Sequence, residues 1–251
     1  MGITSAKCFK KCNPFIGSSL VPFVDMKIHI SPINSTEPAK RVQIPVRWNS
    51  EVNILIYIHL FFLLCYLIAS HTALIGDELY LPEFIRHSIA LPGASKESTH
   101  WFGNLFTYQF VHSSLVEFLL SMSILWFFGH LSAAILGQRR VILLYLVSVV
   151  LSALAFLGSH IIFAIFSGNG MIMDGAFPGT LSIMTAAVAF MRDYRLQISK
   201  TFAPSFLTIY CIILAISLPF IFKPSMAYIF IYISGIIIGF RYAISSRMKV
   251  A

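Results

Sequence analysis

Six stretches of the chain run without a charged residue for about the length of a membrane span: Val52–Gly76, Phe118–Gln138, Val141–Met173, Gly175–Met191, Thr201–Phe222 and Pro224–Phe240. A spanning helix needs about 20 apolar residues, within a range of roughly 17–25. The third stretch exceeds one span and is expected to include a loop at its C-terminal end, while the fourth and sixth lie at the short limit. Runs of this length predict helices, because strands facing lipid need a closed barrel of alternating segments. The expected fold class is therefore all-α, a polytopic bundle of six transmembrane helices.

Composition agrees with lipid as the solvent. Of the 251 residues, 57% are hydrophobic and only 11% are charged, against about 25% charged in a soluble domain. Charge then orients the bundle, since Lys and Arg collect on the cytosolic side of short loops. Seven precede the first run: Lys7, Lys10, Lys11, Lys27, Lys40, Arg41 and Arg47. Arg139 and Arg140 follow the second, Arg192, Arg195 and Lys200 follow the fourth, and Arg241, Arg247 and Lys249 follow the sixth. Only Arg86, Lys96 and Lys223 fall on the opposite side. Both termini are thus expected in the cytosol. The net charge of +8 marks topology and an attraction to anionic headgroups, with no nucleic acid implied.

The expected organisation is a basic tail over 1–50, a membrane domain over 51–245 and a short tail over 246–251. The first tail mixes Pro, Ser and Lys and reads as flexible or surface-lying. No apolar signal-peptide core stands within it, Ala6 spoils a myristoylation pattern at Met1-Gly2, and the Asn34-Ser35-Thr36 sequon is idle in a cytosolic tail. Cys8, Cys12, Cys65 and Cys211 form neither a disulfide framework nor a zinc site. No cofactor motif is present. Between the first two runs, Asp77–Glu117 is too apolar for a solvated loop, with Leu79-Tyr80-Leu81, Phe84-Ile85, Trp101-Phe102 and Phe106 along it. Aromatic rings favour the membrane interface, so a membrane-lying loop and simple packing over the helix ends both stand.

From Arg47 to Ala243 the chain resembles the rhomboids, six-helix intramembrane serine proteases, and most of all those of the Bacteroidetes type. The strongest stretch is Trp101–Val147, with Thr107, Phe110 and His112 in a T-x-x-F-x-H entry, then Gly129, Gly137, Arg139, Arg140 and Tyr145-Leu146 at matching spacing. The family's G-x-S-G and H-x-G-G-x-x-x-G regions correspond here to Ala176-Phe177-Pro178-Gly179 and Tyr232-Ile233-Ser234-Gly235-Ile236-Ile237-Ile238-Gly239. Carried over residue by residue, the nucleophilic serine falls on Pro178 and the general-base histidine on Tyr232. The oxyanion-stabilising histidine falls on Glu117, its asparagine partner on Ser121, and a further acidic residue on Ala133. The glycines are kept and the chemistry is replaced.

Proline offers no hydroxyl, and a phenol with a pKa near 10 is a poor base at neutral pH. An ionised Glu117 would repel an oxyanion. A displaced dyad could use Ser182 or Ser234, but all eight histidines lie at or before His160, which leaves His112, His130 and His160 as replacement bases. Pro178 suits the first turn of a helix. Gly235-x-x-x-Gly239 is a close-packing pattern, implied by the resemblance to join the sixth helix to the fourth, with a dimer face as the other use. Glu117 reads either as a functional intramembrane acid or as a carboxylate at headgroup level.

The expected function is that of a catalytically inactive rhomboid in a bacterial inner membrane, holding a membrane-protein partner or client without cleaving it. An active enzyme with a rearranged dyad and a purely structural subunit remain alternatives.

Overall fold

The structure, a computed structural model, describes residues 23–33, 40–47, 50–70, 91–92, 101–112, 114–167, 172–173, 175–196, 204–221 and 227–248. Seven α-helices are found among them: α1 (Glu51–Ser70), α2 (Trp101–Thr107), α3 (Leu115–Leu136), α4 (Gln138–Ser167), α5 (Phe177–Met191), α6 (Phe206–Ile221) and α7 (Ala227–Met248). All but the short α2 fall on the six apolar runs in order. Windows in α3, α4 and α7 are long and apolar enough to cross a membrane, and α1, α5 and α6 contribute shorter apolar helices.

Helix ends follow from local chemistry. Ser114, in extended backbone, caps α3 by accepting the Glu117 N–H at 3.1 Å. This Ser-x-x-Glu spacing is a helix-start signature. At the other end Gly137 takes φ +89° and donates its N–H to the Ala133 carbonyl at 2.9 Å, a conformation that favours glycine. Gln138 begins α4 directly. That helix continues to Ser167, and α7 continues past its apolar run to Met248, across the boundary expected at residue 245.

Helix α5 is the centre, with α3, α4 and α7 all packed on it. Every side chain from Phe177 to Val188 is buried. The outer helices instead turn Phe61, Ile68, Leu143 and Ile237 outward, as a bundle in hydrocarbon must. Among the described residues, helix α6 meets the bundle chiefly at α5, where Thr185 and Tyr210 hydroxyls lie 3.0 Å apart.

Part of the tail that reads as flexible or surface-lying is a sheet: β1 (Phe23–Pro32) pairs antiparallel with β2 (Lys40–Arg47), and its end pairs with β5 (Tyr194–Leu196) just after α5. Its sequences alternate, as in Val24-Asp25-Met26-Lys27-Ile28-His29-Ile30, the period of a half-buried strand. Tyr194 and Leu196 pack on the core while Arg195 is exposed. The register sets Ile30 opposite Leu196 and Ser31 opposite Arg195. The remaining strands, β3 (Leu91–Pro92) and β4 (Ile172–Met173), pair antiparallel at the other end. Most of the aromatic first loop, residues 71–90 and 93–100, and the sequon lie outside the described residues. Of the described part, α2 turns Phe102 and Phe106 outward and buries Asn104 and Leu105.

Candidate functional site

Three elements meet at the N-terminus of α5. From α3 comes Glu117, in the first turn and 2% exposed. Its carboxylate reaches the backbone just before α5: a Cβ on Gly175 would collide with a Glu117 oxygen. Gly175 also has φ +98°, so the position excludes other side chains twice over. From α7 comes Tyr232, buried and edge-on to Phe177, with ring centroids 5.7 Å apart at 81°. One turn further, a Cβ on Gly235 would lie 2.7 Å from the Pro178 carbonyl oxygen, and one on Gly239 would run into the Ser182 carbonyl. The two glycines therefore let α7 touch the α5 backbone, which describes Gly235-x-x-x-Gly239 as an internal contact.

Pro178 sits in the first turn of α5, where its missing N–H leaves nothing unsatisfied. The hydroxyls nearest to it along the helix are spent on their own turn. Thr180 donates to the Phe177 carbonyl at 2.9 Å, and Ser182 to the Gly179 carbonyl at 2.8 Å. Ser234 donates to the Ile231 carbonyl at 2.6 Å and lies 2.8 Å from the Ser152 hydroxyl. Neither serine has a histidine among its hydrogen-bond partners in the described residues. Ser121, one turn below Glu117, is fully buried, and its hydroxyl has no hydrogen-bond partner among the described residues.

The histidines are engaged elsewhere. His130 lies 13 residues along α3 from Glu117, about 20 Å at 1.5 Å per residue. Its Nδ1 donates to the Trp126 carbonyl at 2.6 Å, and its Nε2 accepts the Ser50 hydroxyl at 3.2 Å. Ser50 in turn accepts the Asn53 N–H and so caps α1. His112 is buried, with its ring 5.1 Å from Phe118 and 6.0 Å from His59. The side chain of His160 lies outside the described residues. Thr107, at the end of α2, donates to the Gly103 carbonyl at 3.4 Å, and Gly129 admits Val52 of α1, whose Cγ1 would lie 2.8 Å from an added Cβ.

Sequence reasoning missed His59. It is completely buried in α1. Its Nδ1 donates to the Leu55 carbonyl at 2.9 Å, and its Nε2 accepts the Tyr145 hydroxyl at 3.0 Å. The Tyr145 ring fills the space that a Gly179 side chain would need, so this pair braces α5 one residue from Pro178. An imidazole inside an uncharged run was the available signal. Nearby, Tyr108 donates to the Val149 carbonyl at 2.9 Å, and burial pushes its phenol well above the usual range.

The arrangement thus provides a buried carboxylate at a helix N-terminus, where negative charge is favoured, and among the described residues the Ser182 and Ser234 hydroxyls donate to backbone carbonyls of their own helices. Among the described residues no three His, Cys, Asp or Glu side chains gather as metal ligands. A family model described as a rhomboid domain matches residues 99–248. Nothing matches among the curated proteins.

Proposed function

Because the chain belongs to the rhomboid family, matched over residues 99–248, we propose that it is an inactive member that holds a membrane-protein partner without cleaving it. The observation that carries this reading is the site at the head of α5. Where the family's pattern has its nucleophile stands Pro178, and beside it the Glu117 carboxylate fills the space next to Gly175. Acyl transfer needs a hydroxyl activated by a base and donors aimed at a developing oxyanion. Tyr232 packs edge-on against Phe177 and is a weak base, and an ionised Glu117 would put an anion where donors are required.

The reading extends to placement. All six apolar helices cross the membrane in this proposal, both termini lie in the cytosol of a bacterial inner membrane, and the aromatic first loop lies in the outer interface. The client docks between α3 and α6, two helices that turn Leu119, Leu207 and Ile212 outward.

The test is site-specific photocrosslinking in native membranes. A photoreactive residue at Leu119 or Ile212 is expected to capture an uncleaved membrane protein, while one at Phe61 on α1 is not. Capture of lipid alone at all three positions overturns the docking face, and recovery of cleaved partner overturns the inactivity.

A further inference from the structure

A groove of about 390 Å³ lies between α4 and α7, away from the head of α5. Its walls include Leu143, Val147, Leu151 and Ile237, and polar groups line one end, with Arg241, Tyr242 and Ser245. Leu143, Val147, Leu151 and Ile237 are all exposed, Leu143 by 59%. The helices run antiparallel there, since Ser152 meets Ser234 while Leu143 lines the groove with Arg241. The first turn of α4 therefore lies beside the last turns of α7. That brings Arg139 and Arg140, both exposed, to the same end as Arg241.

We propose that this groove binds one anionic phospholipid, with an acyl chain along Leu143–Leu151 and its phosphate on Arg241. The dimensions select the occupant. Leu143 to Leu151 covers about 12 Å at 1.5 Å per residue, close to the ~15 Å depth of one leaflet of a ~30 Å core. A protein helix, about 10–12 Å across, is too wide for so small a volume. Charge selects the headgroup. Arg241 is exposed at the groove's end, and three guanidiniums at one end of an apolar groove favour a phosphate with net negative charge. The inference rests on the chain lying in a membrane and is independent of whether the protein cleaves anything.

The test uses the full chain purified in mild detergent, with binding of phosphatidylglycerol, phosphatidylcholine and inorganic phosphate read by native mass spectrometry. Phosphatidylglycerol is expected to be retained over phosphatidylcholine, and inorganic phosphate not to bind. Arg241→Gln should weaken retention about fivefold, the equivalent of ~1 kcal/mol for one basic residue at the membrane surface. Val147→Trp, which fills the groove and leaves Arg241 in place, should weaken it as well, and Arg241→Lys should restore part of the affinity. Thermal melting of each variant checks the fold. Equal retention of phosphatidylcholine, binding of free phosphate, or unchanged retention in either Arg241→Gln or Val147→Trp overturns the proposal.

Discussion

Gly239 and Gly235 decide how closely α7 approaches α5, and the obstacle at each is backbone rather than a movable side chain. A leucine at Gly239 has nowhere to go, so the helices must separate. The expected cost is ~1–3 kcal/mol, a lowering of Tm by roughly 2–10 °C in detergent. Gly103, which has open space around it, is the control, and a leucine there should not separate any helices. Tyr145→Phe removes the hydroxyl that His59 accepts and should cost ~0.5–1.5 kcal/mol, read by the same melting. The glycines were legible because their spacing survives without any partner in view. His59 was not, because one neutral imidazole barely lowers the hydropathy of its run and its partner lies 86 positions away. Glu117 was legible as an acid in a helix, but its approach to Gly175 depends on a loop that the sequence does not position.

Among elements, each of the six apolar helices falls on its run while the ends differ by several residues, α7 reaching Met248 rather than Phe240, and Ser114 and Gly137 mark the limits of α3 by cap chemistry alone. The sheet was not read. Its strands alternate correctly, but the basic residues and Pro45 among them resemble a solvated tail. The third strand follows α5, more than 160 positions from its partner, so no local pattern announces it. The register supplies a test. Cysteines at Ser31 and Arg195, directly opposite in β1 and β5, should crosslink with a short bifunctional thiol reagent in membranes. A pair at Ile28 and Arg195 should react less. Equal reaction of both pairs would deny the register and return residues 23–32 to a mobile tail.

At the scale of the whole molecule, the proposal is that a rhomboid domain has kept its packing glycines while Pro178, Tyr232, Glu117 and Ser121 stand where the family's pattern carries its chemistry. In the proposed reading these residues do not act singly. Restoring Pro178→Ser with Tyr232→His should yield no cleavage of a transmembrane reporter, because Glu117 would still stand beside Gly175 and repel an oxyanion. Recovery of cleavage by that double variant would mean that Glu117 is not an obstacle. The most direct measurement is labelling of the unaltered protein in native membranes with a fluorophosphonate, which reports an activated serine whatever its position. The account predicts no specific label. A label on Ser182 or Ser234, lost when that serine is replaced by alanine, would contradict it.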